Sequence, residues 1–118
     1  MRGGGTGMLE DELKRAIETF NQRVRTDPKL QAEVRGKVRK VLLELTDSES
    51  FNFTLKDESL GPLGRGKIGD PDIHITTDSV TMTALMKREM GPMKALVTKR
   101  LKLTKISMED LSTLRKLF

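Results

Sequence analysis

The sequence predicts an α+β fold with a mixed sheet. Apolar residues recur every three or four positions near both ends of the chain, which is the spacing of amphipathic helices. Several short runs between them alternate apolar and polar residues with a period of two, which indicates half-buried strands. The predicted order is two helices, two strands, a loop, a strand, two helices, a strand and a helix, which is an α+β pattern.

The length of 118 residues predicts one domain with a core of its own. Residues 1–7 contain four glycines and predict a flexible N-terminal arm, whereas residues 8–118 predict the single domain. The arm lacks the apolar segment of a signal peptide. No run approaches the roughly 20 apolar residues of a membrane span, so we expect a cytoplasmic protein.

Two helices begin the domain. The first is predicted from Leu9 to Val24, with acidic residues near its start that favour the helix dipole. Asp27-Pro28 then predicts an N-cap followed by proline at the first helical position. We expect this second helix to be short and to end near Gly36.

A β-hairpin is predicted next. Residues 37–46 and 51–56 each alternate apolar and polar side chains, and residues 47–50 have the composition of a turn. The stretch 57–70 contains four glycines and predicts a loop, with at most a short irregular strand. Its glycine spacing differs from that of the phosphate-binding loop of nucleotide-binding proteins.

The second half predicts a strand over residues 72–77, with Asp78 as the N-cap of the helix that follows. That helix carries Met82 to Met90 at helical spacing and is expected to end at Gly91-Pro92. A short helix and a strand over residues 101–104 come next. Residues 107–110 resemble a capping box with Asp in place of Glu, which predicts a terminal helix.

The composition excludes several kinds of site. The absence of cysteine excludes disulfides, thiolate catalysis and cysteine-based zinc sites, and the single histidine, His74, excludes a multi-histidine metal centre. A nucleophile, a base and an orienting group cannot all be nominated, so we expect no catalytic residue, cofactor or metal. The chain lacks Trp and Tyr and has four Phe, which disfavours a stacking platform for nucleic acid.

Basic residues are concentrated in two segments. Arg35–Lys40 and Lys87–Lys105 together hold eleven basic residues and one acidic residue, which is +10 in a chain of net charge +5. Such asymmetry suggests a face that meets phosphate, an anionic membrane surface or nucleic acid. A solvated surface is the alternative. The residues that we expect to face an anion or a membrane are Arg88, Lys99, Arg100 and Lys102.

Five of the seven methionines lie between Met82 and Met108. Because methionine is unbranched and polarisable, it conforms to irregular apolar shapes. A methionine-rich helix can therefore line a cavity for a flexible hydrocarbon chain. The same spacing also fits an ordinary hydrophobic core.

A series of short segments resembles the sterol carrier protein 2 (SCP-2) lipid-transfer family. In the second half these are Asp72-Ile73-His74-Ile75-Thr76, Ala84-Leu85-Met86, Met90-Gly91-Pro92, Ala95-Leu96-Val97 and Leu101-Lys102-Leu103. In the first half, Phe20-Asn21, Asp27-Pro28 and Leu45-Thr46-Asp47 have the order and spacing of the family. The resemblance covers about Leu9 to Leu117. The chain departs from the family at Arg88 and Lys99, where the family has glycine, and near Lys105.

The resemblance implies a mixed sheet of about four or five strands, covered on one face by helices and enclosing an apolar tunnel. It implies non-enzymatic binding or transfer of fatty acids, fatty acyl-CoA, sterols or phospholipids. The basic segments, and not the resemblance, suggest transient contact with an anionic membrane surface. No oligomeric state follows from the resemblance. The tunnel wall that it implies consists of Ile73, Ile75, Met82, Leu85, Met86, Met90, Leu96 and Leu103, with Leu111 and Leu114 on the closing helix.

Two other readings stay open. The first is an interaction or regulatory domain that keeps this fold but has filled its cavity. The second is a basic nucleic-acid-binding module. Titration with a fluorescent fatty acid separates lipid binding from the first alternative, and salt-dependent binding to duplex DNA tests the second.

Overall fold

The computed structural model describes the backbone of residues 4–117 and the side chains of residues 9–107, 110–113 and 115. The helices are α1 (Gly4–Thr26), α2 (Pro28–Val34), α3 (Ser79–Met86), α4 (Pro92–Val97) and α5 (Met108–Leu117). The strands are β1 (Arg39–Leu45), β2 (Phe51–Lys56), β3 (Ser59–Leu60), β4 (Gly64–Arg65), β5 (Ile73–Thr77) and β6 (Lys102–Lys105).

The predicted order of elements is confirmed, and the two-residue strands β3 and β4 lie in the stretch predicted as a loop. The arm predicted for residues 1–7 lies partly outside the described residues, and α1 already begins at Gly4. Among the helices of residues 4–117, none is long and apolar enough to cross a bilayer.

The sheet is mixed, as predicted. Its six strands have the order β3-β2-β1-β5-β6, and β4 also pairs with β2. β1 and β5 are parallel, whereas the other pairs are antiparallel. β1 therefore lies between the hairpin partner β2 and the second-half strand β5, and it joins the two halves of the chain.

One face of the sheet is apolar and lies against the helices. Val41 is paired with Phe53 on one side and Ile73 on the other, so these three side chains share a face. Leu43, Phe51 and Ile75 form the next row on that face. The apolar stripe of α1 is buried over this face through Leu9, Leu13, Ile17, Phe20 and Val24.

Two helix starts follow the predicted capping. Asp27 Oδ1 accepts hydrogen bonds from the N–H groups of Lys29 and Leu30 at 3.0 and 3.3 Å. Asp78 Oδ1 accepts from the N–H of Thr81 at 2.7 Å. Each carboxylate satisfies backbone donors that the first turn of a helix leaves unpaired.

α3 ends earlier than the sequence predicts. The helix stops at Met86, so the prediction that it continues through Met90 to Gly91-Pro92 is wrong. Met90 instead lies in the connection to α4, where it packs partly buried against the core. The reason is a left-handed residue, Arg88, with φ of 60°.

α3 and α4 end with the same backbone motif. The N–H groups of Arg88 and Glu89 donate to α3 carbonyls at 3.1 and 2.8 Å, and those of Lys99 and Arg100 donate to α4 carbonyls at 3.1 and 2.9 Å. The left-handed residues are Arg88 at φ 60° and Lys99 at φ 63°. This is the Schellman ending, in which glycine is the usual left-handed residue. Both are positions where the family resemblance implies glycine.

Candidate functional site

Two apolar cavities lie between α1 and the sheet. One has a volume of about 30 Å³ and the other about 10 Å³, and Phe53 lines both. The apolar wall of the first consists of Phe20, Val41, Phe53, Leu55, Leu60 and Ile73. The second is lined by Leu13, Ala16, Ile17, Leu43, Phe53, Ile75 and Met86.

These volumes are small for a ligand site. Pockets that hold drug-sized ligands measure roughly 300–1,000 Å³, whereas the larger of these two cavities measures about 30 Å³. Among the residues that the structure describes, these cavities do not form the apolar tunnel that the family resemblance implies. A lipid tail would need the wall of these cavities to move apart.

The first cavity has a polar end beneath α5. Arg39 from β1, and Asp110 and Thr113 from α5, line it there. Arg39 Nε donates a hydrogen bond to Asp110 Oδ2 at 2.9 Å. The side chain of Asp110 is 8% exposed and that of Arg39 is 29% exposed. An ion pair therefore connects the first residue of the central strand to the last helix at the cavity's edge.

The predicted tunnel wall is divided among several places. Ile73 lines the first cavity, whereas Ile75 and Met86 line the second. Leu85 and Met90 line a separate surface depression of about 100 Å³ beside Arg88.

Met82, Leu96, Leu103 and Leu111 are not among the described residues that line the two cavities. Met82 is fully buried in the core. Leu96 and Leu103 pack partly buried against the core, and Leu111 is half-buried. The side chain of Leu114 lies outside the described residues.

Several residues that line the cavities were not predicted as site residues. Phe20 and Phe53 belong to apolar patterns that the sequence assigns only to helix and strand faces. Arg39 and Asp110 meet across 71 positions of sequence, so no local pattern pairs them. The predicted capping box offers one signal, because it marks Asp110. Ser107 Oγ accepts from the N–H of Asp110 at 3.1 Å, while the carboxylate of Asp110 turns to Arg39.

Three of the four predicted anion-facing residues lie at the ends of α3 and α4. Arg88, Lys99 and Arg100 are exposed there. The buried hydroxyl of Thr77 donates to the carbonyl of Arg100 at 2.8 Å, which fixes the backbone after α4. Lys102 lies apart from these three residues. It pairs with Thr76 on β5, and the Thr76 side chain points to the face of the sheet away from α1, so Lys102 shares that face.

α4 presents apolar side chains to solvent next to these charges. Met93 and Val97 are 51% and 77% exposed, and they lie one turn apart on α4. Lys94 is exposed beside them, whereas Ala95 is fully buried and anchors the opposite side of the helix. We call the exposed set Met93, Val97, Arg88, Lys94, Lys99 and Arg100 the α4 face. None of the ion pairs among the described side chains includes a basic member of this face.

The polar face of the sheet carries a small ion network. His74 Nε2 lies 2.8 Å from Glu44 Oε1, and Lys67 Nζ lies 3.4 Å from Glu44 Oε2. The hydrogen bond to His74 and then the charge of Lys67 lower the pKa of Glu44 below its usual value. Within the described part of the chain, no group of three or more His, Asp or Glu side chains could hold a metal ion.

A second ion pair fastens α1 to β4. Arg65 Nη2 donates to Glu10 Oε1 at 2.6 Å, and Lys14 Nζ lies 3.3 Å from Glu10 Oε2. The hydrogen bond from Arg65 lowers the pKa of Glu10 below its usual value, against the opposing effect of burial. The pair therefore favours the ionised carboxylate in the folded state.

The family profile of the SCP-2 sterol transfer family matches residues 17–118 of the chain. The chain belongs to this family. No curated protein matches the chain in sequence at a significant level.

Solved structures of other proteins share the fold. A UbiJ-SCP2 ubiquinone synthesis protein superimposes with a TM-score of 0.64 at 14% identity, covering 98% of this chain and 93% of its own. Palmitated SCP2L2 from Aedes aegypti superimposes with a TM-score of 0.59 at 18% identity, covering 86% of this chain and 89% of its own. At such identities the likeness shows the fold alone.

The inverting sec-alkylsulfatase Pisa1 from Pseudomonas sp. contains a similar region. It superimposes with a TM-score of 0.58 at 14% identity over 70% of this chain. The chain spans only 13% of the length of that enzyme.

Proposed function

We propose that the chain binds a hydrophobic lipid between the sheet, α1 and α5, and carries it through the cytoplasm without chemical change. The observation that carries this proposal is the apolar cavity that ends beneath α5, in a chain of the SCP-2 family. A fatty acid, a fatty acyl-CoA, a sterol and a phospholipid are the candidate ligands. The palmitated structure of a protein with this fold supports a fatty acid.

The free energy for binding comes from the hydrocarbon tail. Burial of lipid methylene groups contributes about 0.8 kcal/mol each, so a chain of about a dozen gives on the order of 10 kcal/mol. Association costs at least about 4 kcal/mol. The remainder is available to move the cavity wall apart. Among the described side chains of α5, the polar residues Asp110 and Thr113 line the cavity.

The small cavity volume favours a second candidate function. A chain with about 30 Å³ of space there can act as an interaction or regulatory domain whose cavity is filled by its own side chains. The two functions differ in one property, since only the lipid carrier opens to admit a ligand.

The experiment is a titration of delipidated protein with a fluorescent fatty acid. The carrier predicts saturable binding to the parent, with a Kd in the micromolar range or below, and a loss of binding in Met86→Asp, because a carboxylate then faces the smaller cavity. Met86→Leu is the matched control and should bind like the parent. A folded parent that binds no fatty acid would favour the interaction domain with a filled cavity. A Met86→Asp variant that binds normally would show that Met86 does not line the lipid site.

The α4 face supports docking of the carrier on an anionic membrane. Exposed Met93 and Val97 can enter the boundary between headgroups and acyl chains, while the surrounding basic side chains meet anionic headgroups. Each basic residue near such a surface contributes about 1 kcal/mol. Three or four together give weak and reversible docking, which suits a protein that must leave the membrane with its ligand.

Sedimentation with vesicles tests the docking surface. We expect binding to vesicles that contain phosphatidylserine, weaker binding at high salt and little binding to phosphatidylcholine alone. Lys94→Gln should weaken the binding, whereas Lys56→Gln, an equal charge change at an exposed position on β2, should not. Binding that ignores lipid charge would reject the surface, and salt-sensitive binding to duplex DNA without vesicle binding would favour the nucleic-acid module.

A further inference from the structure

The pair of Arg39 and Asp110 places a carboxylate at the end of an apolar cavity. Arg39 Nε donates to Asp110 Oδ2 at 2.9 Å, and Arg39 Nη1 donates to the carbonyl of Val38 at 3.0 Å. These bonds use two of the five N–H donors of a guanidinium. The guanidinium is thus held by the backbone just before β1 and paired with a carboxylate from α5.

The position of Asp110 within α5 makes this arrangement unusual for a helix cap. Asp110 is the third residue of α5, where a capping-box carboxylate reaches back to the N–H of the N-cap residue. Its own N–H donates to Ser107 Oγ, but its carboxylate accepts from Arg39. The side chain of Asp110 is 8% exposed and lines the same cavity as Arg39 and the apolar wall.

We propose that Arg39 binds the carboxylate headgroup of a long-chain fatty acid, and that Asp110 occupies this position in the unliganded protein. The inference rests on the proposed lipid-binding function and adds to it the headgroup chemistry and the location of the headgroup. A fatty acid presents a carboxylate next to an apolar chain. The cavity end offers the matching pair of surfaces, a guanidinium beside Phe20, Phe53 and Leu60.

Exchange of the two carboxylates keeps Arg39 paired in both states. An arginine left without a partner at a largely buried site is unfavourable, whereas replacing one carboxylate by another preserves the charge-assisted hydrogen bond. Asp110 would move into water together with the start of α5. That movement opens the polar end of the cavity. The hydrocarbon tail then gains space that is absent when Asp110 is paired with Arg39.

This competition predicts opposite effects of two substitutions. Arg39→Gln removes the headgroup site and should weaken palmitate binding about ten-fold. Asp110→Asn removes the competing charge and should strengthen palmitate binding by several-fold. The alcohol with the same chain, hexadecanol, should lose no affinity in Arg39→Gln, because it carries no charge for Arg39. Lys40→Gln, at the next position of β1 and exposed, is the matched control for loss of a positive charge.

Equilibrium binding of labelled palmitate and hexadecanol to the delipidated full-length chain measures these effects, with circular dichroism to confirm that each variant is folded. Tighter palmitate binding by Asp110→Asn supports the inference even if Arg39→Gln fails to fold. Weaker binding of both ligands by Asp110→Asn would overturn it, because that outcome identifies the pair as a structural link only. Equal affinity of Arg39→Gln and parent for palmitate would also overturn it while leaving the lipid-binding function intact. Failure of the parent to bind either ligand would overturn both.

Discussion

Replacing Arg88 or Lys99 by glycine is expected to stabilise the fold while weakening its docking on anionic membranes. Both residues end a helix in the left-handed region, with φ of 60° and 63°. Both side chains are exposed and belong to the α4 face. The two positions therefore combine a backbone cost with a charge that the proposed docking surface uses.

The size of the stabilisation follows from two opposing effects. An L-residue in the left-handed region costs about 1–2 kcal/mol, and glycine removes that cost. Glycine also makes the unfolded chain more flexible, which lowers the free energy of unfolding by roughly 0.5–1 kcal/mol. The net gain is about 0.5–1 kcal/mol per position, or roughly 2–4 °C in Tm for a chain of this length. Each lost charge should lower vesicle binding about five-fold.

Thermal unfolding and vesicle sedimentation of the same preparations measure the two effects together. Lys87→Gly is the matched control, because Lys87 also carries an exposed charge but has φ of −84°. This control should show no gain in Tm, because Lys87 has no left-handed strain for glycine to remove. An Arg88→Gly variant that melts below the parent would refute the strain argument. A variant that melts higher but binds vesicles like the parent would refute the docking role of Arg88.

Three further changes probe the cavity, the last helix and an ion pair. Phe53→Ala should lower the free energy of unfolding, measured in urea, by about 3–5 kcal/mol, because Phe53 lines both cavities. A loss no greater than that of Phe53→Leu would contradict this expectation. Deletion of residues 111–118 should lower both the melting temperature and the retention of a bound lipid, because Leu111 is half-buried. If neither quantity changes, α5 does not cover the cavity. Arg65 lowers the pKa of Glu10 in the folded state. Their pair therefore stabilises the fold fully at pH values above the ordinary glutamate pKa of about 4.3. This stability is lost as the pH falls through the lower pKa of the folded state. Glu10→Gln should therefore flatten the fall of the urea midpoint between about pH 5 and pH 3, and a slope equal to that of the parent would exclude this contribution.

Local signals in the sequence predicted the starts of elements better than their ends. Asp27 and Asp78 cap α2 and α3 as expected, since each carboxylate contacts donors two or three residues away. The end of α3 was missed, because the usual glycine signal is absent and Arg88 takes the left-handed conformation instead. Met90 was consequently assigned to a helix that had already ended.

Pairing over long distances along the chain explains what the sequence could not predict. β3 and β4 are two residues each and exist through their pairing with β2, so they have no periodic pattern of their own. Apolar positions such as Phe53 were assigned to the correct face of a strand. Because a core and a cavity wall share the same alternation, that pattern did not identify Phe53 as part of a cavity wall.

An NMR titration of the isotope-labelled, delipidated chain with palmitate tests most directly whether a lipid binds beneath α5. We expect saturation at one palmitate per chain, with the largest amide shifts at Phe20, Val41, Phe53 and the start of α5. Shifts confined to the α4 face, or no saturable shifts in a folded protein, would contradict lipid binding between the sheet and the helices.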